Sequence, residues 1–298
     1  MIALEKFLRP TQPDLFDILS RRYCGQCVVS KGEYILVSGE APVMLVAHLD
    51  TVHKVPVREI YSLAGGEFLT SPQGIGGDDR CGVYALVNVY ELSAKKPWLL
   101  FTCDEEIGGV GAEAFCWDYE SGKLPAELND LKMLVEIDRR GRNDAVYYDC
   151  ANREFEAYIT GKGFKTAHGS FSDISLIAPT LGVAAVNLSS GYYNPHRLNE
   201  FIIRSEIDAV ISKVVKIVAD ASEESFPRYG YCDDYFSVAD IPAEYRAIYG
   251  ELLDEYPASE LNYYREVYGD KVLEELYCEM RGWLFSDFEG GEIDDLDE

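Results

Sequence analysis

Five short stretches of the chain carry side chains able to hold a divalent cation. "AHLDTV" offers His48 and Asp50, "GGDDRCG" offers Asp78 and Asp79, "CDEEIGG" offers Glu105 and Glu106, "EIDRRG" offers Asp138, and "SGYYNPHRLNE" offers His196. The chain has only four histidines, and two of them stand in these places. Asp104, Glu105 and Glu106 follow directly on the apolar run "KPWLLFTC". Consecutive carboxylates at the end of a buried strand repel one another and resist desolvation, so they require a positive charge or a solvated loop. Imidazoles and carboxylates converging on one sheet edge suit a pair of borderline divalent ions, whose charge removes that repulsion. Each stretch alone has a plainer reading. A histidine at a strand end is commonly a core residue, an Asp-Asp pair before a helix caps it, and Glu-Glu lies on a solvated face. Their joint order along the chain is what sets them apart.

That order, from about Pro42 to Ala219, resembles the co-catalytic di-zinc exopeptidase clan. The clan includes the tripeptidases of the peptidase T type, the glutamate carboxypeptidase relatives, and the bacterial leucyl and tetrahedral aminopeptidases. The resemblance implies two zinc ions, with cobalt or manganese able to occupy the same ligands. It implies His48 and Asp138 on one metal, Glu106 and His196 on the other, and Asp78 bridging both. Asp50 is implied to orient His48 by hydrogen-bonding its other ring nitrogen. Glu105 matches the clan's general base, which takes a proton from the attacking water and passes it to the departing amine. The implied reaction is hydrolysis of an amide, most simply a peptide bond. In the clan the residue matching Asp138 is Asp in many aminopeptidases and tripeptidases and Glu in carboxypeptidase-like members, so Asp138 leans toward an aminopeptidase. Acidic surroundings would also favour a cationic substrate end.

Many clan members insert a lid or dimerisation domain between the fourth and fifth ligand motifs. Here only Arg139 to Pro195 separates Asp138 from His196, so no such insert is expected. Within that segment, "AHGSFSDISLI" matches the clan's Ser/Thr-Asp turn near the active site, which suggests that Ser172 and Asp173 line the pocket. His168 is a candidate donor to a substrate carbonyl or carboxylate, with an exposed loop histidine as the alternative. Tyr192 and Tyr193 either wall the pocket beside His196 or pack beneath the loop. Glu200 is placed to hydrogen-bond His196 if a helix starts there, and Arg80 to neutralise the carboxylates or cap a helix. His53 has no matching role and reads as a surface residue.

The elements that must position these residues alternate between strand and helix. An amphipathic helix is expected over Leu4 to Tyr23, interrupted near Pro10 and Pro13, followed by strand-like "CVVSKGEYILVSG" and the apolar run "PVMLVAHLDTV". A hairpin is expected from Ile60 to Thr70, then a glycine loop feeding a helix in "GIGGDDRCGVYALVNVYELSA". "KPWLLFTC", "KMLVEID", "DAVYYDC" and "GVAAVNLS" read as further strands, with helices at Val110 to Tyr119, Glu154 to Ile159, Asp173 to Ile177 and Arg204 to Ala221. This alternation predicts an α/β fold, a three-layer αβα sandwich on a mostly parallel sheet, with ligands at the carboxyl ends of the strands.

From Ser222 the composition shifts, and the reading is a catalytic domain over 1–221 with an acidic, Tyr-rich helical extension over 222–298, closing in a flexible "FEGGEIDDLDE". From Glu223 onward 22 acidic residues face 5 basic ones, so this part holds most of the net charge of −25. Either it is a solvated appendage or it serves a protein partner, self-association or a lid; its tyrosines combine contact area with a polar handle. The overall charge argues against nucleic acid or an anionic membrane as partner. No window has the length of a membrane span or a signal peptide's apolar core, so a cytoplasmic location is expected. Eight cysteines in apolar or strand-like contexts then read as reduced thiols, with the "CGQC" of Cys24 and Cys27 lacking a second pair at zinc-ribbon spacing.

Three functions remain in play at this point. The first is a zinc exopeptidase, an aminopeptidase on short peptides. The second keeps the metals but acts on another amide, as a deacylase, amidohydrolase or carboxypeptidase, with Arg139, Arg140 and Arg142 as candidates for a substrate carboxylate. The third is a binding scaffold, against which the intact Glu105 counts, because a retired enzyme has no need of its base.

Overall fold

In the computed structural model the described residues are 3–148, 150, 152–169, 171–231, 241–253, 255–256 and 258–282. The chain divides into two compact units, 1–233 and 234–298. The first opens with α1 (Glu5–Leu8) and α2 (Gln12–Arg22) in place of one interrupted helix. Thr11 caps α2 by accepting the Asp14 N–H, and Pro13 falls in the first turn, where a missing N–H costs nothing. β1 (Cys27–Ser30), β2 (Tyr34–Val37) and β3 (Ala41–His48) follow, then the hairpin of β4 (Tyr61–Leu63) and β5 (Phe68–Thr70). Next come α3 (Gly77–Leu92), β6 (Pro97–Thr102), α4 (Val110–Glu120), β7 (Met133–Arg139), β8 (Asp144–Val146) and α5 (Arg153–Gly161). The unit continues through β9 (Lys165–Thr166), α6 (Ile174–Leu181), β10 (Ala185–Ser189), β11 (Tyr192–Tyr193), β12 (Phe201–Ile203) and α7 (Arg204–Ala221).

Eight strands form the central sheet in the order β1-β2-β6-β3-β7-β10-β8-β9, and β6, β3, β7 and β10 at its middle run parallel. Both faces are covered, as the continuous apolar runs of its strands require. Along β3, Val43, Leu45 and Ala47 point into a core shared with α1, α2, α3 and α7. Met44 and Val46 point the other way, into a core with Phe115 of α4 and Ile174, Ile177 and Leu181 of α6. This is the expected three-layer αβα sandwich with a mostly parallel sheet. A second sheet, β11-β12-β5-β4, is antiparallel, and its strands β11 and β12 are too short to announce themselves as period-two patterns. Among the described residues no helix is long and apolar enough to cross a membrane.

The boundary between units lies later than the composition shift at Ser222. Tyr229 donates its N–H to Lys132 O and accepts the Ala184 N–H, both at 2.9 Å, and its ring packs with Tyr158 and Phe226. Backbone pairing and aromatic packing therefore hold 222–231 to the first unit although its residues look like those of the extension. The second unit contains α8 (Arg246–Leu252), α9 (Ala258–Tyr268) and α10 (Val272–Arg281) around Ile248, Tyr249, Leu252, Leu261, Leu273 and Tyr277. The closing "FEGGEIDDLDE" lies outside the described residues.

Candidate metal centre

The carboxyl ends of β3, β6 and β7 carry the chemistry. His48 is the last residue of β3, Asp138 lies at the end of β7, and Glu105 and Glu106 follow β6 after Asp104 turns the chain at φ +59°. Asp78 and Asp79 precede the regular turns of α3, with non-helical backbone angles. His196 comes from the loop between β11 and β12 and is itself in the left-handed region, at φ +62°.

These residues form two groups that share Asp78. His48 Nε2 lies 3.3 Å from Asp78 Oδ1 and 3.6 Å from Asp138 Oδ1. On the other side, His196 Nε2 lies 3.2 Å from Asp78 Oδ2 and 3.1 Å from Glu106 Oε2. Two donors each bonded to one tetrahedral cation at zinc distances sit about 3.3 Å apart. The four spacings meet that figure. Asp50 Oδ1 lies 3.2 Å from His48 Nδ1; with that nitrogen carrying the proton, the Nε2 lone pair faces the oxygens of Asp78 and Asp138. An imidazole and two carboxylates directed into one space suit a metal cation, which would take the place of the proton that His48 otherwise holds there. Glu106 Oε1, buried without a hydrogen-bond partner among the described residues, is a further acceptor that a cation would satisfy.

The electrostatics of the bare side chains agree. Burial pushes Asp138 well above the usual carboxylate range, and the charge of Asp78 adds to it. Burial also raises Glu105 and Glu106, with the neighbouring carboxylates reinforcing it. For His48, burial opposes the imidazolium, but Asp138, Asp50 and Asp78 outweigh it and its pKa rises well above the ordinary histidine value. The hydrogen bond to Asp78 raises His196 to about 9, against its partial burial. Asp50 falls to about 2, because His48 and the N–H groups of Glu106 and Glu105 overcome the effect of burial.

Glu105 Oε2 is 4.0 Å from His48 Nε2, and its side chain is 13% exposed, so it stands beside the shared space without being enclosed. Asp79 is different from its neighbour. Its Oδ1 accepts the Gly82 N–H at 3.0 Å, capping α3, while Oδ2 is buried without a partner. It also comes within 4.8 Å of His48 and Asp138 through a carboxylate oxygen, a closeness that the double-acid motif alone does not divide between the two residues.

The expected substrate contacts fare unevenly. Tyr192 is buried and donates its hydroxyl to the Asp138 carbonyl at 3.1 Å, with Asp138 Oδ1 at 3.3 Å. Tyr193 turns away, stacking on Phe201 and donating to Glu206 at 2.7 Å. Ser172 and Asp173 are both buried. Ser172 is buried against Glu136 and Asn187, and Asp173 against Thr102, because the turn that opens α6 is tucked under the strand ends. Asn187, which no motif singled out, accepts the Asp138 N–H at 2.8 Å and so ties that network to the candidate ligand. His168 is exposed, and its carbonyl accepts from Arg139 Nη2 at 2.9 Å. Arg80 donates to the carbonyls of Phe7 and Pro10, both at 2.9 Å, and anchors the amino-terminal helices.

Two expectations are corrected. His53 is no surface residue: its side chain is 10% exposed and its Nε2 lies 3.1 Å from Glu200 Oε2. Glu200 does not reach His196, because β12 rather than a helix follows it and its carboxylate turns to the backbone of Gly76 and Asp78.

No family model matches the chain and no curated protein matches it. Solved structures do. A tripeptidase from Staphylococcus aureus matches at a TM-score of 0.54 and 14% identity, over 74% of this chain and 96% of its own. Aminopeptidase PepT from Bacillus cereus matches at 0.53 and 14%, over 74% and 98%. A TET aminopeptidase from a marine sediment thaumarchaeon matches at 0.55 and 11%, over 72% and 95%. The chain therefore has the fold of the peptidase T type tripeptidases and TET aminopeptidases, the kinds of protein that its motif order resembles.

Proposed function

We propose that the chain is a two-metal aminopeptidase acting on short peptides, with zinc as the resident ion and cobalt or manganese as substitutes. The observation that carries this reading is the division of one carboxylate: Asp78 gives Oδ1 to His48 and Oδ2 to His196. His48 and Asp138 would hold one ion with Asp78, and Glu106 and His196 the other. Bound there, the ions would acidify the attacking water and polarise the scissile carbonyl.

The residues of the chain supply the rest. Glu105 is the general base: its carboxylate takes the proton of the water and returns it to the nitrogen of the departing amine. Burial lifts its pKa above the ordinary carboxylate value, the direction that suits a group that must both take and return a proton. Asp50 fixes the ring of His48. Tyr192 holds Asp138 through its hydroxyl. The surplus of carboxylates around the site favours a cationic group on the substrate, as a free amino terminus provides. The Asp at position 138 supports the same polarity through the motif resemblance. In the competing deacylase reading Arg139 would bind a substrate carboxylate, but its Nη2 already donates to His168 O.

The test is elemental analysis of protein purified without chelator, paired with hydrolysis of matched free-amino and N-acetylated peptides. About two metals per chain with cleavage of only the free-amino peptides is the expected result. Cleavage of the acetylated set alone would replace the aminopeptidase with a deacylase, and a chain without metal would refute both.

A further inference from the structure

Glu200 is fully buried, with 0% exposure, and its carboxylate is held by three donors. The Asp78 N–H donates to Oε1 at 3.0 Å, the Gly76 N–H donates to Oε2 at 3.0 Å, and His53 Nε2 lies 3.1 Å from the same Oε2. Its own backbone is pinned as well. Glu200 O accepts from Thr70 Oγ1 at 2.9 Å, and Glu200 N–H donates to Arg197 O at 3.1 Å, closing the turn that begins beside His196.

The glycine loop is cut to fit this carboxylate. A Cβ on Gly77 would stand 2.6 Å from Tyr192 Cβ and 3.1 Å from Glu200 Oε1, and a Cβ on Gly74 would collide with the His53 ring. Glycine at both places lets the backbone come close enough to donate. Gly76 and Gly74 also take positive φ, at +64° and +81°. The stretch "GIGG" thus serves the approach of Glu200 and His53 to the chain that carries Asp78.

We infer that Glu200, braced by His53, is the positioning residue that sets the carboxylate of Asp78 against the imidazole of His196 and so defines the cation site they share with Glu106. The two sites depend on it unequally. His48 and Asp138 have their own supports in Asp50, Asn187 and Tyr192. Among the described residues His196, with a side chain 54% exposed, has no comparable support beyond the turn that Glu200 closes. The carboxylate of Glu200 is taken up by the Gly76 and Asp78 N–H groups and His53, so it acts on the site through Asp78.

The inference rests on the two-metal reading, and the test separates the two. Zinc binding to the full chain is measured by equilibrium dialysis for wild type, Glu200→Gln and His53→Phe, with hydrogen exchange of the metal-free proteins alongside. The glutamine amide keeps one acceptor oxygen and turns a donor toward the remaining N–H groups. Glu200→Gln is expected to weaken one zinc by about 10- to 100-fold, the range for outer-shell partners of metal ligands. The other zinc, which also uses Asp78 but keeps His48 and Asp138 on their own supports, is weakened less. Residues 74–80 exchange faster while β3 and β7 keep their protection, and His53→Phe, which removes a donor from the same carboxylate, gives the same pattern. Two zincs bound with wild-type affinities would overturn the role of Glu200 and leave the two-metal reading intact. Equal loss of both zincs with faster exchange throughout the sheet would also overturn it, by showing a general structural role. A wild-type chain that binds no zinc would refute the two-metal reading itself.

Discussion

Asp50 accepts the backbone N–H of Glu105 at 3.1 Å through the same oxygen that faces His48 Nδ1. Its other oxygen accepts the Glu106 N–H at 3.0 Å. One carboxylate therefore orients the histidine at the end of β3 and holds the segment that carries the proposed base and the proposed ligand after β6. The expectation from sequence covered only the histidine.

Asp50→Asn should consequently impair more than metal binding. The variant is expected to lose about 10- to 100-fold in zinc affinity and to turn over more slowly even at saturating zinc, because the Glu105 and Glu106 amides lose a charged acceptor. Metal titration followed by kcat at saturation separates the two effects; full kcat at saturating zinc would contradict the second role.

Glu105→Gln keeps the shape and removes the base. Loss of kcat by about 100-fold or more is expected, the range for a positioned general base, with metal content unchanged. Peptide hydrolysis and elemental analysis on the same preparation check this. Wild-type turnover would remove Glu105 from the mechanism.

Removing metal should lower stability, since ions that bind only the folded chain stabilise it by about 4 kcal/mol when free metal exceeds Kd a thousandfold. Thermal unfolding with and without chelator measures this as a fall in Tm that added zinc reverses. Equal Tm values would show that the carboxylate cluster needs no ion.

The metal-free protein should also lose stability as pH rises from about 5 to 9. Asp138 has a folded pKa above its unfolded value near 3.9, so the folded state holds a proton that rising pH removes, and its contribution declines upward from that value. His196 works in the same direction: the stability it adds is complete below its unfolded value near 6.5 and is lost as pH passes about 9. Asp50 has a lowered pKa, so its contribution is already complete above about 4 and does not counter the trend. Tm of the metal-free protein against pH is the measurement. With zinc bound, the downward slope should flatten, because the ligands are then charged and paired.

Ser172→Ala tests the buried placement of that turn. Removing the hydroxyl takes a partner from the buried Glu136 and from Asn187, for an expected loss of about 1–3 kcal/mol, with KM unchanged. Denaturant unfolding and steady-state kinetics together check it. A raised KM at full stability would return Ser172 to the substrate pocket.

By itself the sequence determined the layered α/β fold and the list of candidate ligands. Both follow from local rules: apolar runs such as "PVMLVAHLDTV" and "KPWLLFTC" must be buried on two faces, and the acids placed at their ends need compensation. Tertiary structure decided which contacts those ends make. Thr70, Gly76 and Asp78 meet Glu200 across more than a hundred residues of chain, and no period or spacing carries that information. The same holds for Ser172 and Asp173, whose turn reads as pocket-lining until the packing of α6 under the sheet buries it. It holds also for 222–231, which composition assigns to the extension and backbone pairing with Lys132 and Ala184 assigns to the first unit. Side-chain chemistry is written residue by residue, whereas the partner of a buried polar group is fixed only when distant segments close around it.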